Sequence, residues 1–132
     1  MPPISSDTLY QNALRDYNSG RYDLSRQEFS DFLKNFPDSD LAGNSQFYLG
    51  EVSFSQSNYQ DALADYDLVI VNYPKSYKLA AASLRKGEAM LALGQKASAL
   101  RQFRSVAARF PGTDEAKRAE SHVRQMAPAA AH

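Results

Sequence analysis

The stretch FLKNFPDSD at residues 32–40 returns as VIVNYPKSY at 69–77 and as VAARFPGTD at 106–114, which sets Pro37, Pro74 and Pro111 at intervals of 37 residues. Other columns keep the same step: Gly20, Ser57 and Gly94; Ser25, Ala62 and Ala99; Phe29, Tyr66 and Phe103; Ala13, Gly50 and Gly87. A fixed period of this length specifies stacked helix-turn-helix units, each burying its apolar face against its neighbours.

Spacing within the unit decides between helix and strand. Tyr59, Ala62, Leu63, Tyr66, Val69, Ile70 and Tyr73 recur at steps of three and four, which lines one side of a helix and does not fit alternation by two. Tyr22, Ser25, Phe29, Phe32, Leu33 and Phe36 repeat the pattern in the first unit, and Ala99, Leu100, Phe103, Val106, Ala107 and Phe110 in the third. The second helix of every unit is thus amphipathic. The first helices are expected over 7–19, 40–56 and 77–93, and a capping helix over 113–126 with Thr113 as its N-cap and acids in its first turn. The expected organisation is a flexible N-terminus 1–6, repeats over 7–37, 40–74 and 77–111, the capping helix, and a flexible tail 127–132. The class is all-α, three repeats of a 37-residue period closed by one further helix.

Small residues carry part of the design. Ala13, Gly50 and Gly87 fall mid-way along first helices, where a glycine costs about 1 kcal/mol against alanine unless close packing offsets it. The expected compensation is close approach of the second helix through Ser25, Ala62 and Ala99. Gly20 and Gly94 suit left-handed C-cap positions, with Ser57-Asn58 in that place in the middle repeat. In the recurring joint, Pro37 ends the preceding helix by forcing the residue before it out of the helical region, and Asp38 and Ser39 offer oxygens to cap the next.

Composition narrows the function. Fifteen Lys plus Arg balance fifteen Asp plus Glu, which argues against a general nucleic-acid binder. There is no cysteine, so disulfides, thiolate metal sites and a cysteine nucleophile are excluded. No apolar run of about 18 residues exists to span a bilayer, and the first residues show neither a basic nor an apolar signal region, so no membrane insertion is expected. The balance of charge hides a separation. Residues 38–74 hold six acids and no base, and residues 75–111 hold eight bases against Glu88 alone. Adjacent repeats that complement one another within the chain would explain it; so would a bipolar surface that steers a charged partner or a second copy.

Catalytic groups do not converge. His122 and His132 stand outside any metal-ligating pattern and read as solvent-facing bystanders, Asp61 and Asp65 as part of a solvated helix face, and no glycine-rich phosphate loop or nucleophile elbow occurs. The chain is therefore read as no enzyme, with no cofactor and no metal. The first helices are instead unusually aromatic. Tyr10, Leu14, Tyr17, Phe47, Tyr48, Glu51, Arg85 and Glu88 are the candidate protein-binding groove, with two readings open for the aromatics: inter-repeat core, or a lining for a peptide or helix.

Residues 45–74, SQFYLGEVSFSQSNYQDALADYDLVIVNYP, resemble a tetratricopeptide repeat, with Leu49, Gly50, Tyr59, Ala62, Tyr66 and Pro74 at the signature places and the early tryptophan absent. Such units usually run to 34 residues; here three more follow the proline. With that longer joint, residues 22–51 and then LRKGEAMLALGQKASAL and RFPGTDEAKRA resemble the C-terminal domain of the YbgF/CpoB family of the Tol-Pal system, over roughly residues 8–125. The resemblance implies a right-handed superhelix with a concave groove, a periplasmic location, a TolA-like partner and a role coordinating cell-wall synthesis with outer-membrane constriction. Family members also carry a signal peptide and a trimerising coiled coil, which this sequence lacks, so the expectation for this chain is a monomer or weak dimer. The rival resemblance is to BamD-like outer-membrane assembly scaffolds, whose lipobox cysteine is missing here. Tetratricopeptide domains that clamp chaperone C-termini use basic first-helix positions; Tyr10, Leu14, Tyr48, Ala81 and Arg85 stand there, with one cation among five.

Overall fold

A computed structural model describes residues 4–126. The expectations for residues 1–3, for the tail 127–132 and for His132 lie outside the described residues. Within them the chain forms seven α-helices and no strand: α1 Ser6–Asn18, α2 Tyr22–Asn35, α3 Ala42–Ser55, α4 Tyr59–Asn72, α5 Leu79–Ala92, α6 Lys96–Arg109 and α7 Asp114–Met126. Helices α2, α4 and α6 begin at Tyr22, Tyr59 and Lys96, one period apart. No helix among the described residues is long and apolar enough to cross a membrane.

Each hairpin closes as its sequence requires. Gly20 and Gly94 take φ of 77° and 80°, and Ser57 is held at 61° in the same place. A side chain at positive φ is strained, so the middle hairpin keeps its turn at a small cost. α2 stops at Asn35, with Phe36 at φ −134° ahead of Pro37, as the proline dictates. Thr113 Oγ1 accepts from the Ala116 amide at 3.1 Å and caps α7. The other joints differ from expectation. Ser39 Oγ accepts from the Leu41 amide and Ser76 Oγ from the Lys78 amide, which fastens the turn before the helix, while Asp38 makes no such bond and α3 has no side-chain cap.

Three apolar clusters sit at successive levels. The first gathers Tyr10, Ala13, Phe29, Phe32 and Ala42; the second Phe47, Ala62, Tyr66, Val69 and Ala82; the third Leu84, Ala99, Phe103, Val106 and Ala119. Each contains a residue from the following unit, so no hairpin has a core of its own and stacking supplies stability. Tyr66, Phe29 and Phe103 are fully buried at the same register and anchor the three levels. The close approach at the glycines is made by these rings and not by Ala62 and Ala99. A Cβ on Gly50 would overlap the Tyr66 ring, and one on Gly87 would stand 2.6 Å from Cε1 of Phe103. The aromatic edge lies against bare helix backbone, and that contact offsets the propensity cost of the glycines.

Candidate functional site

The first helices α1, α3 and α5, with α7 in the same register, share one layer, and their side chains meet across the joints 34 residues apart. Glu51 on α3 accepts from Arg85 on α5 through both oxygens, Nε to Oε1 at 2.9 Å and Nη2 to Oε2 at 3.2 Å. The Tyr66 hydroxyl donates to the same Oε1 at 2.6 Å from α4. Arg85 Nη1 then reaches Glu88 Oε1 at 3.3 Å, and Glu88 Oε2 takes Arg118 Nη2 and His122 Nε2, each at 2.9 Å, from α7. The result is one polar seam running from α3 through α5 to α7. Planar, two-point guanidinium to carboxylate bonding fixes side-chain direction as well as charge.

Electrostatics keep Arg85 charged and the Tyr66 hydroxyl neutral. Burial alone would lower the Arg85 pKa, but its hydrogen bonds and ion pair with Glu51 outweigh this and raise it. Burial, with the Glu51 charge added, pushes the Tyr66 hydroxyl far above its ordinary range, so it remains a donor. Tyr17 and Tyr48 are raised too, burial first and the Glu51 charge contributing. Neutral phenols therefore surround the carboxylate. Around them lie apolar faces: the Arg85 guanidinium sits 4.3 Å from the Phe54 ring centroid, and Lys78 Nζ lies 5.2 and 5.4 Å from the Phe47 and Tyr48 rings.

The eight sequence-derived residues divide between this layer and the core beneath it. Tyr17, Tyr48, Glu51, Arg85 and Glu88 come together at the first-helix layer, Tyr17 and Tyr48 with rings 5.6 Å apart. Tyr10 and Phe47 are each 6% exposed and belong to core clusters, while Leu14, Tyr17 and Tyr48 are half-buried and pack against the first of them. The sequence does not single out Tyr66, Arg118 or His122 for the site. The signal for His122 lay in the register: it is one period after Arg85, as Glu88 is after Glu51. Its reading as a bystander is corrected, because its ring stacks on Phe103 at 4.3 Å and 13° as well as meeting Glu88. Asp65 is corrected likewise. It is half-buried, accepts from Ser53 Oγ at 3.2 Å, and is pushed up to about 6 by burial, partly offset by that bond.

Charge complementarity operates between repeats, with Lys86 on α5 2.7 Å from Asp67 on α4 as a second cross-repeat pair beside Glu51 and Arg85. A pair of acids sits apart from the seam, where α1 meets α2. Glu28 is pushed up to about 7 by burial, then by its bond to Asp16, while Asp16 is lowered by that same bond. Asp16 Oδ2 and Glu28 Oε1 are buried without a hydrogen-bond partner, and the raised Glu28 carboxyl keeps its proton where an ordinary one has lost it. Among the described residues no three His, Asp or Glu side chains are grouped to hold a metal ion.

Comparison with known proteins agrees with this architecture. Models of the tetratricopeptide repeat match residues 10–77 and 81–113. A curated relative, the cell division coordinator CpoB of Pseudomonas putida, is 35% identical over 57 residues; the match covers 42% of this chain and only 21% of that protein. Among solved structures, the Yersinia enterocolitica type III secretion chaperone SycD in complex with a YopD peptide superposes with a TM-score of 0.76 at 23% identity, covering 97% and 95% of the two chains. PcrH in complex with the chaperone-binding region of PopD gives 0.77 at 21% identity, over 98% of each chain. The first tetratricopeptide domain of RPAP3 bound to the HSP90 peptide SRMEEVD gives 0.76 at 18%, over 96% and 94%.

Proposed function

Because the chain belongs to the tetratricopeptide-repeat family, we propose that it is a non-enzymatic binding module that receives a helix or extended segment of a protein partner on its first-helix layer. The observation that carries this is the joining of Tyr17, Tyr48 and Phe54 to the Glu51, Arg85 and Glu88 seam: broad apolar faces for affinity beside fixed charges for register. Several structural neighbours are recorded with peptides bound, which supports recognition in this mode. The chaperone C-terminus clamp fits poorly, since Arg85 is the single cation at the five clamp positions.

The cell-envelope reading rests on the likeness to CpoB and on the extended joint. In it the module works in the periplasm of a Gram-negative bacterium, binds a TolA-like protein, and coordinates cell-wall synthesis with outer-membrane constriction during division. The second reading is a scaffold for outer-membrane protein assembly, favoured by the same joint. Calorimetric titration of the purified chain with the periplasmic domains of TolA and, separately, with outer-membrane assembly components distinguishes them. Binding of TolA at roughly micromolar Kd, weakened about tenfold by Tyr17→Ala with helicity unchanged, is the expected result. Binding only to assembly components overturns the TolA reading, and binding unaffected by Tyr17→Ala overturns the placement of the groove.

A further inference from the structure

Helix α4 is apolar on the side that faces away from the stack. Its run Leu68, Val69, Ile70, Val71 buries Val69 completely, yet leaves Leu68 43% and Val71 73% exposed. Packing does not demand this. At the positions one period away, Leu68 is replaced by Asp31 and Ser105, Val71 by Lys34 and Ala108, and Ala64 by Gln27 and Arg101. Leu68 and Val71, one helical turn apart, give α4 an exposed apolar strip that its counterparts in the other repeats lack.

The ends of this ridge are charged and oppositely so. Asp61 lies in the first turn of α4 and Lys75 in the turn just beyond its last residue; both are exposed, and neither has an ion-pair partner among the described residues. Asp61 stands two helical turns before Leu68, and Lys75 comes seven residues after it, past the end of the helix at Asn72. The opposite charge of the two ends selects the occupant. A second copy laid antiparallel on the first, with Leu68 on the axis, sets each Asp61 against the Lys75 of the other copy and each Ala64 against an Asn72. A parallel arrangement would set acid on acid and base on base.

We propose that the outer ridge of α4 is an isologous contact between two copies of this chain, antiparallel about a two-fold axis at Leu68. Second helices do not pack extensively on one another in the stack, so α4 presents a free-standing ridge. One helix pair buries much less than the roughly 1,600 Å² of a standard interface, so the dimer is weak and forms at high or locally raised concentration. It leaves the first-helix layer open, and the contact is independent of the partner reading above.

Sedimentation equilibrium of the full chain from about 10 μM to about 1 mM tests this, with circular dichroism confirming the fold of every variant. The wild type should approach dimer mass, and Leu68→Asp should stay monomeric throughout. Asp61→Lys and Lys75→Asp should each weaken association about 3- to 10-fold, since two symmetric pairs are lost at once. The double variant Asp61→Lys, Lys75→Asp restores the pairs and should return to within about twofold of wild type. Lys75→Asp is a mild change in itself, because Asp38 fills that place in the first joint. A wild-type monomer at every concentration, including one whose ridge is covered by another polypeptide, overturns the proposal. So does a dimer indifferent to Leu68→Asp, or charge reversals that add instead of cancelling.

Discussion

The first joint and the second are built on the same register with opposite chemistry. Where α1 and α2 meet α3, Leu14 and Tyr48 fill the columns that Glu51 and Arg85 fill one period later. Tyr48 stacks on Phe29 at 5.5 Å and 10°, with Tyr10, Tyr17 and Phe47 edge-on around it. At the second joint Tyr66 replaces Phe29 and hydrogen-bonds a carboxylate held by a guanidinium, and at the third His122 lies on Phe103 beside Glu88. The repeat therefore dictates where neighbouring helices touch and leaves open how. An apolar joint stabilises through area; a charged joint gains less net free energy because desolvation opposes the ion pair, but it fixes geometry.

The largest effect should come from breaking the apolar joint. Tyr48→Ala removes a ring with four aromatic neighbours and should lower unfolding free energy by about 3 kcal/mol in urea denaturation. The charged joint should respond differently to single and double changes. Arg85→Met leaves Glu51 without its ion-pair partner and should cost about 2 kcal/mol, whereas adding Glu51→Gln should recover roughly half of that. A double variant as unstable as the sum of its singles would show that the seam contributes by packing, as the first joint does.

The repeats, the helix faces and the hairpin turns were legible because they depend on spacing alone. Tyr22, Tyr59 and Lys96 open their helices one period apart, and Gly20, Ser57 and Gly94 take the left-handed turn their column implies. Glu51, Arg85 and Glu88 were legible as charged first-helix residues, but their continuity was not, since it depends on how far long side chains reach across a joint. Asp65 and His122 were misread for a related reason: a polar residue at a helix flank looks solvated until its neighbour is placed, here Ser53 and Glu88. The Asp38 cap failed because Ser39, one residue on, already fastens the turn.

A smaller effect separates the polar pairs that lie one period apart inside the hairpins. Asp16 and Glu28 stand in the columns of Ser53 and Asp65, so the first hairpin sets two carboxyls together where the second sets a hydroxyl against one. The Glu28 pKa, raised to about 7, means that the folded chain keeps a proton the unfolded chain loses near pH 4 to 5, roughly the ordinary carboxyl range. Its contribution is complete below that range and is lost as pH rises through about 7. Asp65, at about 6, acts in the same sense; Asp16, lowered, acts in the opposite sense and only in more acid solution. Glu28→Gln keeps a donor for Asp16 and should flatten the fall in stability between about pH 5 and about pH 7.5 by roughly 1 kcal/mol, a figure reduced for solvent screening. Denaturant melts at the two pH values measure it, and an unchanged slope would place the proton elsewhere.

The most direct test of the first-helix layer as the binding face is amide chemical-shift mapping of the labelled chain during titration with the TolA periplasmic domains. Perturbations should concentrate on α1, α3, α5 and α7 around Tyr17, Tyr48, Glu51, Arg85 and Glu88, and leave Leu68 and Val71 unmoved. Saturable shifts confined to the outer ridge of α4, with the seam undisturbed, would contradict it.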